Sequence, residues 1–235
     1  MGCGVVAGFV NTLAGGGSFL AVPLLTLLGL PVTVANATNR VAVLAQNLTA
    51  VAVFRREGVS GLDLGLRLLP ATLLGSWLGS WVASWISPEI FEPLFGLVML
   101  AALPLVLRKP ALDRSAPRRL SLPLQVAIYF GLGVYGGAIQ AGIGIPLLLA
   151  LVGAGGLDLV RANSVKVVII AALTAVALVQ FVVAGLVVWS YGLVLAAGSA
   201  IGGYLAARWG SRIGPGLIRP VLLVAIVALA IRFLV

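Results

Sequence analysis

The sequence predicts an all-α membrane protein made of two inverted structural repeats, each a re-entrant, glycine-broken helical hairpin followed by three transmembrane helices. Two observations predict this class. Of the 235 residues, 61% are hydrophobic and 9% are charged, with a mean hydropathy of +1.19; a soluble domain carries about 25% charged residues. The second observation is that the two halves of the chain resemble each other.

Eight hydrophobic segments follow one another along the chain. Their approximate bounds are 4–30, 33–54, 64–86, 90–107, 122–152, 159–185, 188–207 and 215–234. Several contain uncharged windows long enough to cross a hydrocarbon core of about 30 Å as helix. The runs are too long for barrel strands and lack two-residue alternation, so helices are expected. A basic linker at 108–121 separates a first transmembrane repeat, 1–107, from a second, 122–235.

The repeat rests on three ordered matches between the halves. "VANATNRV" (34–41) aligns with "VRANSVKV" (160–167), which pairs Arg40 with Lys166. "GSWLGSW" (75–81) aligns with "GSAIGGY" (198–204), and "AGGG" (14–17) with "AGIG" (141–144), so that the offsets are 123 to 127 residues. Fixed-offset similarity indicates internal duplication, which is the usual construction of secondary transporters.

The distribution of Lys and Arg predicts the orientation. If segments 4–30 and 122–152 enter the membrane and turn back, the loops that carry most of the basic residues share one side. Those loops are 55–63, 108–121, 153–161 and 208–219. The positive-inside rule makes that side cytoplasmic, with six crossings and inverted halves. Hydropathy alone would give eight crossings.

The glycine-rich stretch "NTLAGGGSFL" (11–20) breaks the first hydrophobic segment. Ten helical residues cover about 15 Å, so a helix ending before Gly15 and another beginning near Ser18 would meet near the bilayer midplane. The second helix would direct its N-terminal N–H groups inward, where they favour an anion, and Ser18 would cap it or bind the ligand. The second copy offers the same device at 141–144, beside Gln140. The alternative is that the glycines only allow close helix packing.

Two cations lie inside hydrophobic segments. Arg40 and Lys166 are each about seven residues into a helix, or roughly 10 Å deep. Asn36 and Asn39 share a helix face with Arg40, and Asn163 shares one with Lys166. Intramembrane cations usually face an interior cavity, and no Asp or Glu lies deep in a segment to neutralise these two. Two unpaired cations that face the N-termini of the helices after the two breaks favour a bound anion. The alternative is that both side chains snorkel to the headgroups. The candidate anion-binding residues are Asn11, Gly16, Gly17, Ser18, Asn36, Asn39, Arg40, Gln140, Gly142, Asn163 and Lys166.

Other chemistries find little support. The chain has no histidine and a single cysteine, Cys3, so we expect no catalytic residues, no metal site and no cofactor. "GLGVYG" (131–136) fits GxGxxG, but no βαβ unit surrounds it. The net charge of +9 belongs to short loops between apolar segments, which argues for a lipid bilayer rather than nucleic acid as the partner.

Long stretches of both halves resemble the TauE/SafE family of sulfite exporters. The resemblance is carried by "GFVNTLAGGGSFLAVPLLTLLGLPVTVANATNRVAVL" and by "GVYGGAIQAGIGIPLLLAL" followed by "GLDLVRANSVKVV". It implies a prokaryotic inner-membrane protein that handles sulfite, sulfonates or related compounds. The motif positions carried over are Asn11, 15–18, Asn36, Thr38, Asn39, Arg40, Asn163, Ser164 and Lys166. Fewer residues precede Gly4 than the family implies, so we expect a short first helix or a longer natural N-terminus. The second glycine stretch is also less complete, which makes the halves unequal.

The expected function is export of sulfite or a small organosulfonate, without enzymatic activity. The alternatives are uptake, export of another small anion such as a carboxylate, an intramembrane enzyme, and a structural membrane subunit. The oligomeric state is open between a monomer and a homo-oligomer.

Overall fold

A computed structural model describes residues 1–59, 62–107 and 120–209 of the chain. All regular structure in these ranges is helical, which confirms the predicted all-α class. The helices are α1 (Gly2–Ala14), α2 (Ser18–Leu27), α3 (Val32–Arg56), α4 (Leu62–Trp85), α5 (Pro88–Leu107), α6 (Leu122–Ala138), α7 (Gly144–Leu149, continued by a π-helical turn to Ala154), α8 (Leu159–Val183) and α9 (Trp189–Trp209). The last predicted segment, 215–234, and most of the linker lie outside the described residues.

Helices α3 and α8 pack against each other, and each is covered by a helix from the other half of the chain. Helix α9 packs on α3 and α1, while α4 packs on α8 and α6. Backbones approach closely at small residues in both places. A Cβ added at Gly79 of α4 would lie 2.0 Å from the carbonyl oxygen of Val134, and one at Gly202 of α9 would lie 2.1 Å from that of Val5. The first helix of each half, α1 or α6, therefore packs closely against a helix of the other half, α9 or α4.

The first hydrophobic segment is broken at its glycines. Helix α1 ends at Ala14, Gly15 adopts the left-handed conformation with φ 76°, and α2 begins at Ser18. The second segment is broken between α6 and α7, where Gln140 and Gly142 have φ values of 63° and 75°. The two breaks are in contact, because a Cβ at Gly15 would lie 2.2 Å from the Cα of Gly144.

The two half-helices that follow the breaks are unequal. Helix α2 has ten residues, whereas α7 has six before its hydrogen bonding changes to the π pattern. The shorter α-helical segment is the one that follows the less complete glycine stretch; an unequal contribution of the halves to the site stays a prediction.

Two of the described helices are both long and apolar enough to cross a bilayer. They are α8 and α9, with mean hydropathies of 2.4 and 1.3 over their most apolar windows. Helix α3 is as long as α8, at 25 residues, but Asn, Gln and Arg side chains interrupt its apolar sequence. The six crossings expected from the charge distribution stay a prediction.

The cap of α8 lies outside its apolar part. The Asp158 carboxylate accepts hydrogen bonds from the backbone N–H groups of Val160 and Arg161, both at 3.0 Å. These bonds, led by that of Arg161, hold the pKa of the Asp158 carboxyl below its usual value. The cap fixes where α8 begins, and hence the depth of Lys166 two turns further on.

Candidate functional site

The two cations of α3 and α8 are completely buried. Both Arg40 and Lys166 have 0% exposed surface. Neither side chain reaches out of the protein, so the snorkelling alternative is wrong.

Arg40 binds the end of a broken helix from the other half. Its guanidinium donates two hydrogen bonds, to the carbonyl oxygens of Gly136 and, at 2.8 Å, of Gly137 in the last turn of α6. Its Cζ lies 5.3 Å from the ring centroid of Phe181 on α8, within the range of a cation–π contact. The buried Nε has no hydrogen-bond partner in the described part of the chain.

Lys166 makes the corresponding contact in the opposite direction. Its ammonium donates a 2.8 Å hydrogen bond to the carbonyl oxygen of Thr12 in the last turn of α1. The final carbonyls of a helix lack intrahelical donors and carry partial negative charge. Each cation therefore stabilises the end of the broken helix supplied by the other half.

These contacts correct two expectations. The cations are not unpaired, because backbone carbonyls accept from both. The helix termini that they touch are the C-termini of α1 and α6, not the N-termini of α2 and α7. The sequence placed the cations at the breaks but assigned them to the wrong side of each break.

No carboxylate neutralises either cation within the described ranges. The five acidic residues there are all exposed: Glu57, Asp63, Glu89, Glu92 and Asp158. The ion pair found in these ranges joins Arg161 to Asp158 at 3.8 Å, on the protein surface. Among the described residues, the partners of the two buried positive charges are thus backbone carbonyls and one aromatic ring.

Several polar side chains of the first half are hydrogen-bonded to one another or to the backbone. Gln46 Nε2, like Thr12 Oγ1 and Arg40 Nε, is buried without a partner among the described residues. Asn11 accepts from the Gly17 N–H at 3.3 Å, and Asn39 donates to the Ser18 hydroxyl at 3.0 Å. Asn36 donates to the Ala138 carbonyl at 2.9 Å. These bonds hold the α1–α2 break closed and join α3 to both breaks.

Ser18 does not cap α2, contrary to one of its two expected roles. The N-cap position is occupied by Gly17, and no side chain forms a capping hydrogen bond there. The Gly17 N–H is instead taken by Asn11, six residues earlier. The Gly16 carbonyl accepts from the N–H of Phe19 and is part of the turn.

In the second half, three buried side-chain oxygens have no hydrogen-bond partner among the described residues. Gln140 is buried and donates from Nε2 to the Thr174 hydroxyl, while its Oε1 accepts nothing. Asn163 Oδ1 and Ser164 Oγ are likewise buried without a partner. Gly142 lies against the ring of Phe19, which a Cβ would approach to 2.6 Å, so this glycine permits close packing there.

Sequence reasoning missed two site features. The Thr12 carbonyl binds Lys166, and the Thr12 hydroxyl is buried without a partner. Thr174 holds Gln140. Thr12 lies three residues before Gly15, and this position beside the predicted break could have indicated a role in the site. Nothing in the sequence around Thr174 indicates one. Among the described residues no group of His, Cys, Asp or Glu could hold a metal ion.

Helical breaks in contact at the centre of an apolar bundle, with buried cations beside them, are typical of transmembrane transporters. Comparison with known proteins agrees. A model of the family described as "Sulfite exporter TauE/SafE" matches residues 1–233, and the chain belongs to that family of membrane transporters.

The curated relatives carry general transporter names. A "Probable membrane transporter protein" of Haemophilus influenzae is 30% identical over 223 residues, covering 94% of this chain and 88% of its own. "Probable membrane transporter protein YfcA" of Escherichia coli K12 is 26% identical, with 98% and 86% covered. No solved structure matches the chain.

Proposed function

We propose that this protein exports a small sulfur-containing anion, sulfite or an organosulfonate, across the bacterial inner membrane. One observation carries the proposal: Arg40 and Lys166 are fully buried at the helix breaks, and no described carboxylate neutralises them. Burying an isolated charge is costly unless something compensates it. A bound anion would supply the compensation, and the family description supports a sulfur oxyanion.

The proposed architecture is a pair of inverted repeats with re-entrant breaks. The contacts support it, because α1 packs on α9 of the other half as α6 packs on α4. Arg40 and Lys166 likewise each donate a hydrogen bond to the first helix of the other half. In this arrangement the anion binds near the bilayer midplane, where a slight rocking of the halves would expose it to either side.

The proposed direction follows from the membrane potential. With the basic loops in the cytoplasm, each negative charge leaving the cell gains about 2.3 kcal/mol per 100 mV. The sequence has no GxxxxGK[ST] loop for ATP. The described carboxylates are all exposed, so none of them provides a buried proton relay. Potential-driven efflux of the anion needs neither.

Sulfite flux from proteoliposomes tests the proposal. We expect efflux to rise when the interior is made negative, and Arg40→Met and Lys166→Met each to reduce it at least about tenfold, the effect of about 1.4 kcal/mol. Arg161→Met is the matched control, because Arg161 is on the same helix as Lys166 but its side chain is 73% exposed; it should leave flux unchanged.

The same assay separates the alternatives. If carboxylates compete with sulfite as strongly as sulfonates do, the proposed substrate class is wrong. If the protein catalyses net uptake of the anion instead of efflux, the proposed direction is wrong. Size-exclusion profiles of each variant show whether it folds. Folded variants with unchanged flux would remove both cations from the proposed site.

A further inference from the structure

The Thr12 hydroxyl is buried beside Lys166 and makes no hydrogen bond among the described residues. Thr12 has 0% exposed surface, and its carbonyl oxygen accepts the 2.8 Å hydrogen bond from the Lys166 ammonium. The hydroxyl oxygen of the same residue has no partner. A buried donor without an acceptor costs free energy, so this hydroxyl requires an explanation.

Other hydroxyl groups on the described helices show why Thr12 is unusual. Thr49 and Thr72 each donate to the carbonyl four residues earlier in their own helix, at 2.9 and 2.8 Å, which is a common arrangement for helical threonine. Ser76 and Ser199 donate instead to carbonyls of neighbouring helices. Within the described part of the chain Thr12 does neither, so its hydroxyl is available to a bound molecule.

Ser164 also carries a buried hydroxyl without a partner among the described residues. Ser164 lies two residues before Lys166 on α8, and side chains two positions apart on a helix do not face each other. Thr12, in contrast, touches Lys166 directly through its carbonyl. Thr12 therefore provides the hydroxyl that accompanies the cation.

The helix end that Arg40 binds offers no such group. The carbonyls that accept from Arg40 belong to Gly136 and Gly137, which have no side chains. When the two glycine stretches of the repeat are aligned, the counterpart of Thr12 is Ile139. A side-chain donor thus accompanies Lys166, and the matching position beside Arg40 is apolar.

Resting on the function proposed above, we infer that Thr12 is a substrate-binding residue, whose hydroxyl donates a hydrogen bond to an oxyanion held by Lys166. The carbonyl and hydroxyl oxygens of Thr12 belong to one residue and are at most about 5 Å apart. An ammonium has three N–H donors, so Lys166 can bind the Thr12 carbonyl and an anion together. A small oxyanion carries several oxygens on one central atom. It can therefore accept from the ammonium through one oxygen and from the hydroxyl through another, with hydrogen bonds of about 2.8 Å.

The inference predicts opposite effects of one substitution on stability and on transport. Thr12→Val keeps the shape of the side chain and the backbone carbonyl that Lys166 binds, but it removes the hydroxyl. Because the hydroxyl has no protein partner, the midpoint of thermal unfolding without anion should stay the same or rise. In proteoliposomes the KM for sulfite should rise at least about tenfold, since one hydrogen bond to a charged group is lost. Thr12→Ser keeps the hydroxyl and should keep the KM of the unmodified protein.

The matched control is Thr72→Val. Thr72 also has 0% exposed surface, and its hydroxyl is bonded within α4 to the Leu68 carbonyl. The same substitution there should leave the KM for sulfite unchanged.

An unchanged KM in Thr12→Val, with flux still lost in Lys166→Met, would overturn the inference and leave the proposed function intact. A Thr12→Val protein that unfolds well below the unmodified protein, or that does not fold, would also overturn it, because the hydroxyl would then be needed by the fold. So would a KM of Thr12→Ser as high as that of Thr12→Val. Absence of sulfite flux in the unmodified protein would instead remove the proposed function, and the inference with it.

Discussion

At the scale of single residues, the partner of each buried polar group decides what that group can do. Arg40 and Lys166 occupy equivalent positions in the repeat and are equally buried. Arg40 is a planar fork that suits two adjacent carbonyls, whereas Lys166 is a compact point charge that donates to one. The same contrast separates Thr38, which is bonded, from Ser164, which is not.

The Thr38 hydroxyl provides a test at this scale. It accepts the Val188 N–H just before α9 begins, so Thr38→Val leaves that backbone donor without a partner. We expect the free energy of unfolding to fall by about 1–3 kcal/mol. Thr38→Ser keeps the hydroxyl and should stay near the unmodified protein. Chemical denaturation in detergent measures both; equal stabilities of the two variants would show that the hydrogen bond is not formed.

How far sequence reasoning reached is clearest at the cations. Their depth followed from their positions in apolar segments, and their burial is confirmed. Their partners could not be predicted, because the accepting carbonyls are 96 and 154 residues away in the chain and any residue type supplies a carbonyl. Whether each side-chain amide is hydrogen-bonded could not be predicted either, because this depends on which helices pack together.

At the scale of elements, the breaks between α1 and α2 and between α6 and α7 organise the molecule. The run of three glycines predicted the first break, since left-handed backbone and close approach both favour glycine. Both reasons apply: Gly15 has φ 76°, and the backbone of Gly144 leaves no room for a Cβ there. The two readings of the glycines, chain reversal and close packing, are therefore compatible. That the two breaks touch was not predictable from either half alone.

Two glycine substitutions separate these reasons. Gly15→Ala places a Cβ on left-handed backbone and also against Gly144. Gly185→Ala places a Cβ on left-handed backbone alone, because no atom lies within 4 Å of it. We expect Gly185→Ala to destabilise the protein by about 1–2 kcal/mol. Gly15→Ala should cost clearly more and reduce flux, because the breaks must separate. Thermal unfolding compares the two variants, and equal midpoints would show that the contact between the breaks does not contribute to stability.

At the scale of the whole molecule, the halves are interlocked rather than side by side. Helix α1 packs on α9 of the other half and α6 packs on α4, and each buried cation reaches across to the opposite half. The internal repeat in the sequence predicted two similar units, but similarity between halves does not say whether they exchange helices. That information lies in the long-range contacts alone.

Splitting the chain at its linker tests this interlocking. Residues 1–107 and 122–235 produced separately should aggregate, because each lacks the helices that cover its core. Produced together, they should form a monodisperse complex with sulfite flux. Size-exclusion chromatography decides the matter, and a half that is soluble in detergent and monodisperse by itself would contradict it.

The most direct test of the central claim is an experimental structure of the protein with bound selenite, an electron-rich analogue of sulfite. We predict density for the anion within hydrogen-bonding distance of a buried cation, beside the contact between the two breaks, with Arg40 and Lys166 still enclosed. Selenite density confined to the protein surface, with only carbonyls around both cations, would contradict the account.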